Sequence, residues 1–263
     1  MRDYPKEFSL DDVSKFREIL VDFIKETMAD KGFKKVVLGM SGGVDSTLGA
    51  FLAAEALGPE NVTGVRMPYK SSSPASLEHA GLSADKLGIE TMTIDITPMV
   101  DAYFVRFPDA DHVRRGNKMA RERMSILYDQ AQKGGSLVLG TSNKTEVMLG
   151  YGTIYGDSAS ALNPLGAVYK TEVWMMAELV GVPEVTIEKA PTADLWDGQT
   201  DESELGIDYL TADRILYHLI ELKSSENEIE VLGIPKAKIE AIKNLIKSSE
   251  FKRKLPEVPV LQR

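Results

Sequence analysis

The sequence contains no cysteine among its 263 residues, which removes a disulfide framework, a thiolate zinc site and any cysteine nucleophile. Long apolar runs are missing as well. No stretch approaches the length that spans a bilayer, and the N-terminal residues alternate in charge where a secretory signal needs an apolar segment. Basic residues are outnumbered, 31 Lys and Arg against 40 Asp and Glu, and the net charge of −9 argues against a general binder of nucleic acid or membrane. An anionic ligand therefore needs a local basic patch. Internal repeats and low-complexity tracts are absent too. These absences predict a soluble, cytoplasmic protein, and the length suffices to bury a core.

What is present is organised around residues 35–53. A valine-rich run ends in Gly39-Met40-Ser41-Gly42-Gly43-Val44-Asp45-Ser46 and passes into a helix-period pattern, which reads as a buried strand turning sharply into a helix. Free backbone N–H groups and the positive end of the helix dipole make that turn suited to phosphate. Gly42 and Gly43 let an anion approach the backbone, and Ser41 and Ser46 add hydroxyls. Asp45 repels phosphate unless a divalent cation bridges the two. The loop lacks the spacing and the lysine of a Walker A sequence, so its cations must come from elsewhere.

Apolar residues spaced by three and four over 9–30 predict an amphipathic helix capped by Ser9 or Asp11. Residues 61–67, 90–96 and 136–140 read as further strands, 74–87 as a helix closed by Gly88, and 111–133, 209–222 and 235–247 as helices. Trp174, Met175, Met176 and Leu179 fit the core face of another helix. Strands alternating with helices imply an α/β fold: one domain over 1–263 with a parallel, doubly wound, Rossmann-like sheet flanked by helices. Ligands bind at the carboxyl ends of such strands, so the loops after Gly39, Met67, Ile96 and Gly140 are expected to share a site. His79, His112 and His218 lie on predicted helices without spaced partner ligands, which argues against a metal role for them.

The polar string Thr141-Ser142-Asn143-Lys144-Thr145-Glu146, directly after a buried strand, is where α/β folds keep function. Glu146 is a candidate second carboxylate, with Asp45, for magnesium. In the string from Gly116 to Arg123, Arg121 and Arg123 are two apart and do not share a helix face, so at least one is expected to turn toward anionic oxygen.

The loop resembles the pyrophosphate loop of enzymes that split ATP between its α and β phosphates. Ser41 to Ser46, Gly116 to Arg123, Gly140 to Glu146, Tyr155-Gly156-Asp157, Lys170-Thr171-Glu172-Val173, Lys189 to Trp196, and Gly198 to Glu202 together resemble the ammonia-dependent NAD synthetases, from the first helix to the tail. The resemblance implies that Gly39, Met40, Ser41, Gly42, Gly43, Val44, Asp45 and Ser46 hold the ATP phosphates, with Asp45 and Glu146 on Mg²⁺. It implies ATP contacts from Thr141, Lys170 and Thr192, and a contact of Arg121 with deamido-NAD. Lys252 stands in the family's basic pair near the tail. The implied reaction adenylates the nicotinate carboxylate of deamido-NAD, releases pyrophosphate, and lets ammonia displace AMP to give NAD, a ligase chemistry carried out by a homodimer. Asp157, then Asp201 or Glu202, are the carboxylates expected to receive the incoming ammonium, and Lys170 to stabilise the departing pyrophosphate. The stretch 191–202 has little periodicity and reads as a lid. Residues 251–263 form a tail that the family folds over the dinucleotide.

Three positions depart from the family pattern, all on its dinucleotide side: Ile154 replaces a lysine, Ala161 precedes Leu162 where an aspartate is common, and Phe251 replaces a histidine. Without cysteine or length for a glutaminase, free ammonia is the expected donor. The competing readings are a non-catalytic adenine-nucleotide sensor on the same fold and a related enzyme with another carboxylate acceptor. Pyrophosphate release that needs deamido-NAD, ammonia and Mg²⁺ together separates them.

Overall fold

The N-terminal helix, α1 (Leu10–Asp30), starts on Ser9, whose hydroxyl accepts the Asp12 N–H at 3.1 Å, the side-chain cap expected of serine at that position. A computed structural model describes residues 2–196 and 198–261. After α1 the chain alternates: β1 (Lys35–Gly39), α2 (Val44–Leu57), β2 (Val62–Arg66), α3 (Pro74–Leu87), β3 (Glu90–Thr93), α4 (Thr97–Phe104), α5 (His112–Gly134), β4 (Ser136–Val138) and α6 (Lys144–Leu149). The remainder is helical: α7 (Lys170–Val180), α8 (Glu184–Glu188), α9 (Asp201–Leu205), α10 (Tyr209–Ile220), α11 (Glu226–Glu230) and α12 (Lys236–Ser248). Pro74 in the first turn and left-handed Gly88 at the end bound α3 where the sequence places them.

The strands form one parallel sheet in the order β3-β2-β1-β4. Both faces are covered, as a parallel sheet requires. Val36 and Leu38 of β1 enter a core with α1, α2, α3, α7, α10 and α12, while Val37 enters a second core with α4 and α5. α2 is buried on most sides because α1, α7 and the sheet surround it. β4 is shorter than expected: the Leu139 N–H still donates to the Val37 carbonyl of β1 at 2.9 Å, but Gly140 turns to Leu162 and donates to its carbonyl at 2.8 Å. Trp174, Met175 and Met176 are buried as predicted, but Leu179 is exposed in the last turn of α7.

The tail folds back in its first part. Glu250–Arg253 forms a short 3-10 turn. The Arg253 guanidinium donates to the carbonyls of Met148 at 2.8 Å and Val147 at 3.2 Å, near the end of α6, and to Ile246 in α12 at 2.6 Å. Lys252 donates to the carbonyls of Gly150 at 2.7 Å and Gly152 at 2.8 Å. One cation each thus satisfies carbonyls that a helix end and the following loop leave open. Arg253→Ala is expected to lower unfolding free energy by about 1–3 kcal/mol, the loss of charged hydrogen bonds from a half-buried donor, read by urea denaturation. An unchanged midpoint would show that the turn does not hold α6 to α12.

Candidate active site

The direction of winding reverses between β1 and β4, because α2 and α3 cover one face of the sheet and α4 and α5 the other. Crevices open at such a switch point. A cavity of about 460 Å³ lies there, walled by the loops after β1, β2 and β4, by α5, by the 192–199 region and by Lys252. The loop after β3 is not part of the wall. β3 is the edge strand, two places from the crevice, and the helix after it, α4, braces the loop after β2: Thr97 Oγ1 accepts the Lys70 N–H at 3.0 Å, and Asp101 accepts from Lys70 Nζ at 2.6 Å.

Serine hydroxyls order the loop after β1. Ser46 Oγ donates to the Gly43 carbonyl at 3.0 Å and lies 3.0 Å from Ser41 Oγ, which also accepts the Gly43 N–H at 3.3 Å. Gly42 has φ +73°, and a Cβ on it would lie 2.0 Å from the Ser76 carbonyl oxygen of α3, so both its conformation and its surroundings require glycine. Gly39, Met40, Ser41, Asp45 and Ser46 face the cavity, together with Thr141 and Thr192. Gly42, Gly43 and Val44 do not line it. Gly42 is packed beneath Ser76, and Val44 belongs to the core.

Below this loop lies a buried ion cluster. Lys170, in the first turn of α7 and 2% exposed, donates to Asp45 Oδ2 at 2.5 Å and stands 3.6 Å from Glu146 Oε1. Its ammonium also faces the rings of Tyr209 at 5.1 Å and Trp174 at 5.9 Å. Burial alone would lower the lysine pKa, but the carboxylates of Asp45, Glu146 and Asp201 outweigh it and raise it above the ordinary value. Burial, and then Asp45, push Glu146 well up, with Lys170 opposing. Asn143 holds the other oxygen of Asp45 at 2.8 Å. It also caps α6 reciprocally with Glu146: Asn143 Oδ1 accepts the Glu146 N–H at 3.0 Å, and Glu146 Oε2 accepts the Asn143 N–H at 3.2 Å. The Asn-x-x-Glu spacing announces that cap, while the bridge to Asp45 has no local signature.

Asp201 is buried and accepts from Tyr151 at 2.9 Å and Tyr209 at 3.0 Å, and burial raises its carboxyl. It lines the cavity, so it is not part of a solvated acidic loop. Glu202 corrects the expectation made for it. It is exposed, absent from the wall, and committed to the Tyr209 N–H at 3.0 Å, a free donor at the start of α10. Asp157 lines the cavity with an exposed face and accepts the Thr153 N–H at 2.8 Å. The two arginines of α5 do diverge. Arg123 points into the cavity and donates to the Met67 carbonyl at 3.0 Å. Arg121 lies outside it, in a separate hollow of about 230 Å³ with Tyr103, Phe104, Arg114, Asn117 and Lys118.

The segment expected to be a lid is docked over the cavity. Asp194, at φ +51°, accepts the Ser73 N–H at 3.1 Å and the Ser76 hydroxyl at 3.0 Å, and Lys189 donates to Ser76 Oγ at 2.8 Å. Trp196 meets His112 edge-on at 4.6 Å. Asp197, within this segment, lies outside the described residues.

The sequence model of the NAD synthase family matches residues 16–256. The chain belongs to the NAD synthase family. It is 53% identical over 242 residues to the NH(3)-dependent NAD(+) synthetase of Trichlorobacter lovleyi, covering 92% of this chain and 89% of that one. Among solved structures it is similar to the NH3-dependent NAD synthetase of Campylobacter jejuni in complex with the nitrate ion, at 37% identity and TM-score 0.80, over 94% of this chain and 99% of that one. It is likewise similar to the NMN synthetase of Francisella tularensis, at 31% identity and TM-score 0.85, over 97% and 100% of the two chains.

The three departures from the NAD synthase pattern are distributed unequally. The Ile154 carbonyl accepts from Arg121 Nε at 3.2 Å, and Phe251 is 61% exposed. Ala161 packs against the core, its N–H donating to the Val138 carbonyl at 2.9 Å. Gly42→Ala is expected to displace α3 from the loop and to weaken ATP binding about tenfold or more, because neither the left-handed backbone nor the Ser76 carbonyl has room for a methyl group. Isothermal titration with ATP reads this, and wild-type affinity would show that the glycine contact is dispensable.

Proposed function

We propose that this member of the NAD synthase family joins free ammonia to the nicotinate carboxylate of deamido-NAD, consuming ATP and releasing AMP and pyrophosphate. The observation that carries the reading is the buried Asp45–Lys170–Glu146 cluster at the sheet's switch point, directly under the Ser41 to Ser46 loop. In this reading the whole chain, 1–263, acts as one domain.

In the first step a carboxylate oxygen of the acceptor attacks the α phosphorus, and the bond from that phosphorus to the bridging oxygen of pyrophosphate breaks. Ser41, Ser46 and Thr141 hold the outer phosphates, and Lys170 offers its ammonium to the charge that develops on the leaving group. Asp45, Glu146 and Asp201 converge on one ammonium, so acidic groups are in excess of cations there, and the raised carboxyls of Glu146 and Asp201 would favour their ionised forms once a further cation arrives. That excess fits a divalent ion with hard oxygen ligands, and among the described residues no group of three or more His, Asp or Glu side chains holds a metal by itself. Asp45 and Glu146 would therefore hold Mg²⁺ jointly with the phosphates, where it supplies charge neutralisation. Ammonia then attacks the activated carbonyl carbon, AMP leaves, and the proton shed by nitrogen passes to a carboxylate. Asp157, at the cavity rim and raised by burial above its ordinary value, first takes a proton from the incoming ammonium to leave neutral ammonia, and Asp201 is the carboxylate for the second proton.

Lys252 holds the rim of the acceptor side through Gly150 and Gly152, and Thr192 brings the closed segment to the nucleotide. The aromatic and basic hollow around Arg121 suits an anionic, ring-bearing acceptor. Met99, Tyr103, Val105 and Phe107 are exposed beside it, and a second copy of the chain is the occupant this reading gives that face. Among the described residues no helix is long and apolar enough to cross a membrane, and the reading assigns the reaction to the cytoplasm.

Chromatographic separation of products from ATP, deamido-NAD, ammonium and Mg²⁺ tests the reaction. Equal amounts of NAD and AMP are expected, and ATP binding without AMP would overturn it in favour of a nucleotide sensor. Asp45→Asn should reduce Mg²⁺-dependent turnover about a hundredfold, with retained activity counting against the ligand role. Arg121→Ala should raise the KM for deamido-NAD about tenfold while that for ATP stays within about twofold, and equal losses for both would move Arg121 to the phosphates.

A further inference from the structure

Every helix leaves its first N–H groups without partners inside the helix. In α7 these donors are met by side chains from several places. Tyr169 N–H donates to Glu172 Oε2 at 2.7 Å, Lys170 N–H to Thr145 Oγ1 at 2.9 Å, and Thr171 N–H to Asp213 Oδ2 at 2.7 Å. The Thr145 hydroxyl that accepts from Lys170 itself donates to Asp213 Oδ1 at 2.5 Å, and the Thr171 hydroxyl donates to Asp213 Oδ2 at 2.7 Å. Asp213, in α10, is fully buried. One carboxylate therefore ties α10 to α6, through the residue before Glu146, and to α7, through the residue after Lys170.

Asp213 does not line the cavity, so no substrate reaches it. A buried carboxylate is costly as a simple brace, and apolar packing would serve that purpose as well. What an ionised acceptor adds is direction. With its proton drawn to Asp213, the Thr145 oxygen presents a lone pair to the Lys170 N–H, and this sets where the Lys170 side chain leaves the backbone relative to Asp45 and Glu146.

We propose that Asp213 is a positioning residue for the adenylation step, acting through Thr145 to fix Lys170 and Glu146 at the spacing the leaving pyrophosphate requires. The inference rests on the roles given above to Lys170 and Glu146.

Two near-isosteric variants separate positioning from bulk stability. Thr145→Val cuts the relay between Asp213 and the Lys170 N–H. Thr171→Val removes a hydroxyl bond to the same carboxylate and leaves the relay whole. Steady-state kinetics and thermal melts on both, with Asp213→Asn as a third, give the comparison. Thr145→Val and Asp213→Asn are expected to lower kcat about tenfold or more with the KM for ATP within about twofold, since small misplacements act on the chemical step. Thr171→Val is expected to keep kcat within about twofold although its Tm falls. Equal kcat losses in the two threonine variants, or wild-type kcat in Thr145→Val, overturn the proposal even where Asp213→Asn fails to fold. An inactive wild type overturns the reaction and this proposal with it. An active wild type with indistinguishable threonine variants overturns the proposal alone.

Discussion

The site depends on one buried ammonium. Lys170 is almost wholly removed from water, and burying a charge is tolerated only where partners replace its hydration. Asp45 and Glu146 are those partners, one supplied by the turn after β1 and the other by α6, the helix that follows β4. Removing one member of such a cluster leaves an uncompensated charge, at a cost of about 3–5 kcal/mol. The same interaction that would bind the departing phosphates therefore also holds three chain segments in register. Acidic groups outnumber the cation, and burial together with the Asp45 charge pushes Glu146 up, so a further cation would be received there favourably.

The topology explains why these groups meet. α2 and α3 are wound on one face of the sheet and α4 and α5 on the other, so the loops after β1 and β4 part at the centre of the sheet and leave a crevice between adjacent strands. Polar groups at that crevice are held by bonds to groups far away in sequence. Asn143 reaches Asp45, Asp194 reaches the start of α3, and Lys252 reaches the loop after α6. The carboxyl ends of the strands thus carry a constellation whose members are each oriented by a neighbour, and such second contacts decide whether a site is tight enough for chemistry.

Features governed by neighbours in sequence were legible before any coordinates. The cap at Ser9, the bounds of α3 and the turn into α2 are local, and each follows from the residue that sits there. The loop motif at Ser41 to Ser46 and the strings that follow it pointed to the correct family. The Lys170–Asp45 pair, 125 residues apart, was not legible as a pair, because spacing carries no information across a sheet. Asp213 was invisible for the same reason: a single acidic residue in a predicted amphipathic helix reads as a polar position. Glu202 misled because an acidic run does not say which member faces inward, and the helix start at Tyr209 claimed it. The loop after β3 failed to join the site since strand order, unlike strand existence, is not written in periodicity.

The sheet also partitions the interior. Along β1, Val36 and Leu38 face one compartment and Val37 the other, so the two cores are separated by a wall one strand thick. Substitutions in well-separated compartments combine additively, whereas those in contact do not. Lineages of this chain are therefore free to drift in the α4/α5 compartment without re-tuning the helices that support Lys170, provided β1 itself stays put. The exception is α5, whose Met124 and Leu127 belong to that compartment and also line the cavity beside Gly39 and Ser41.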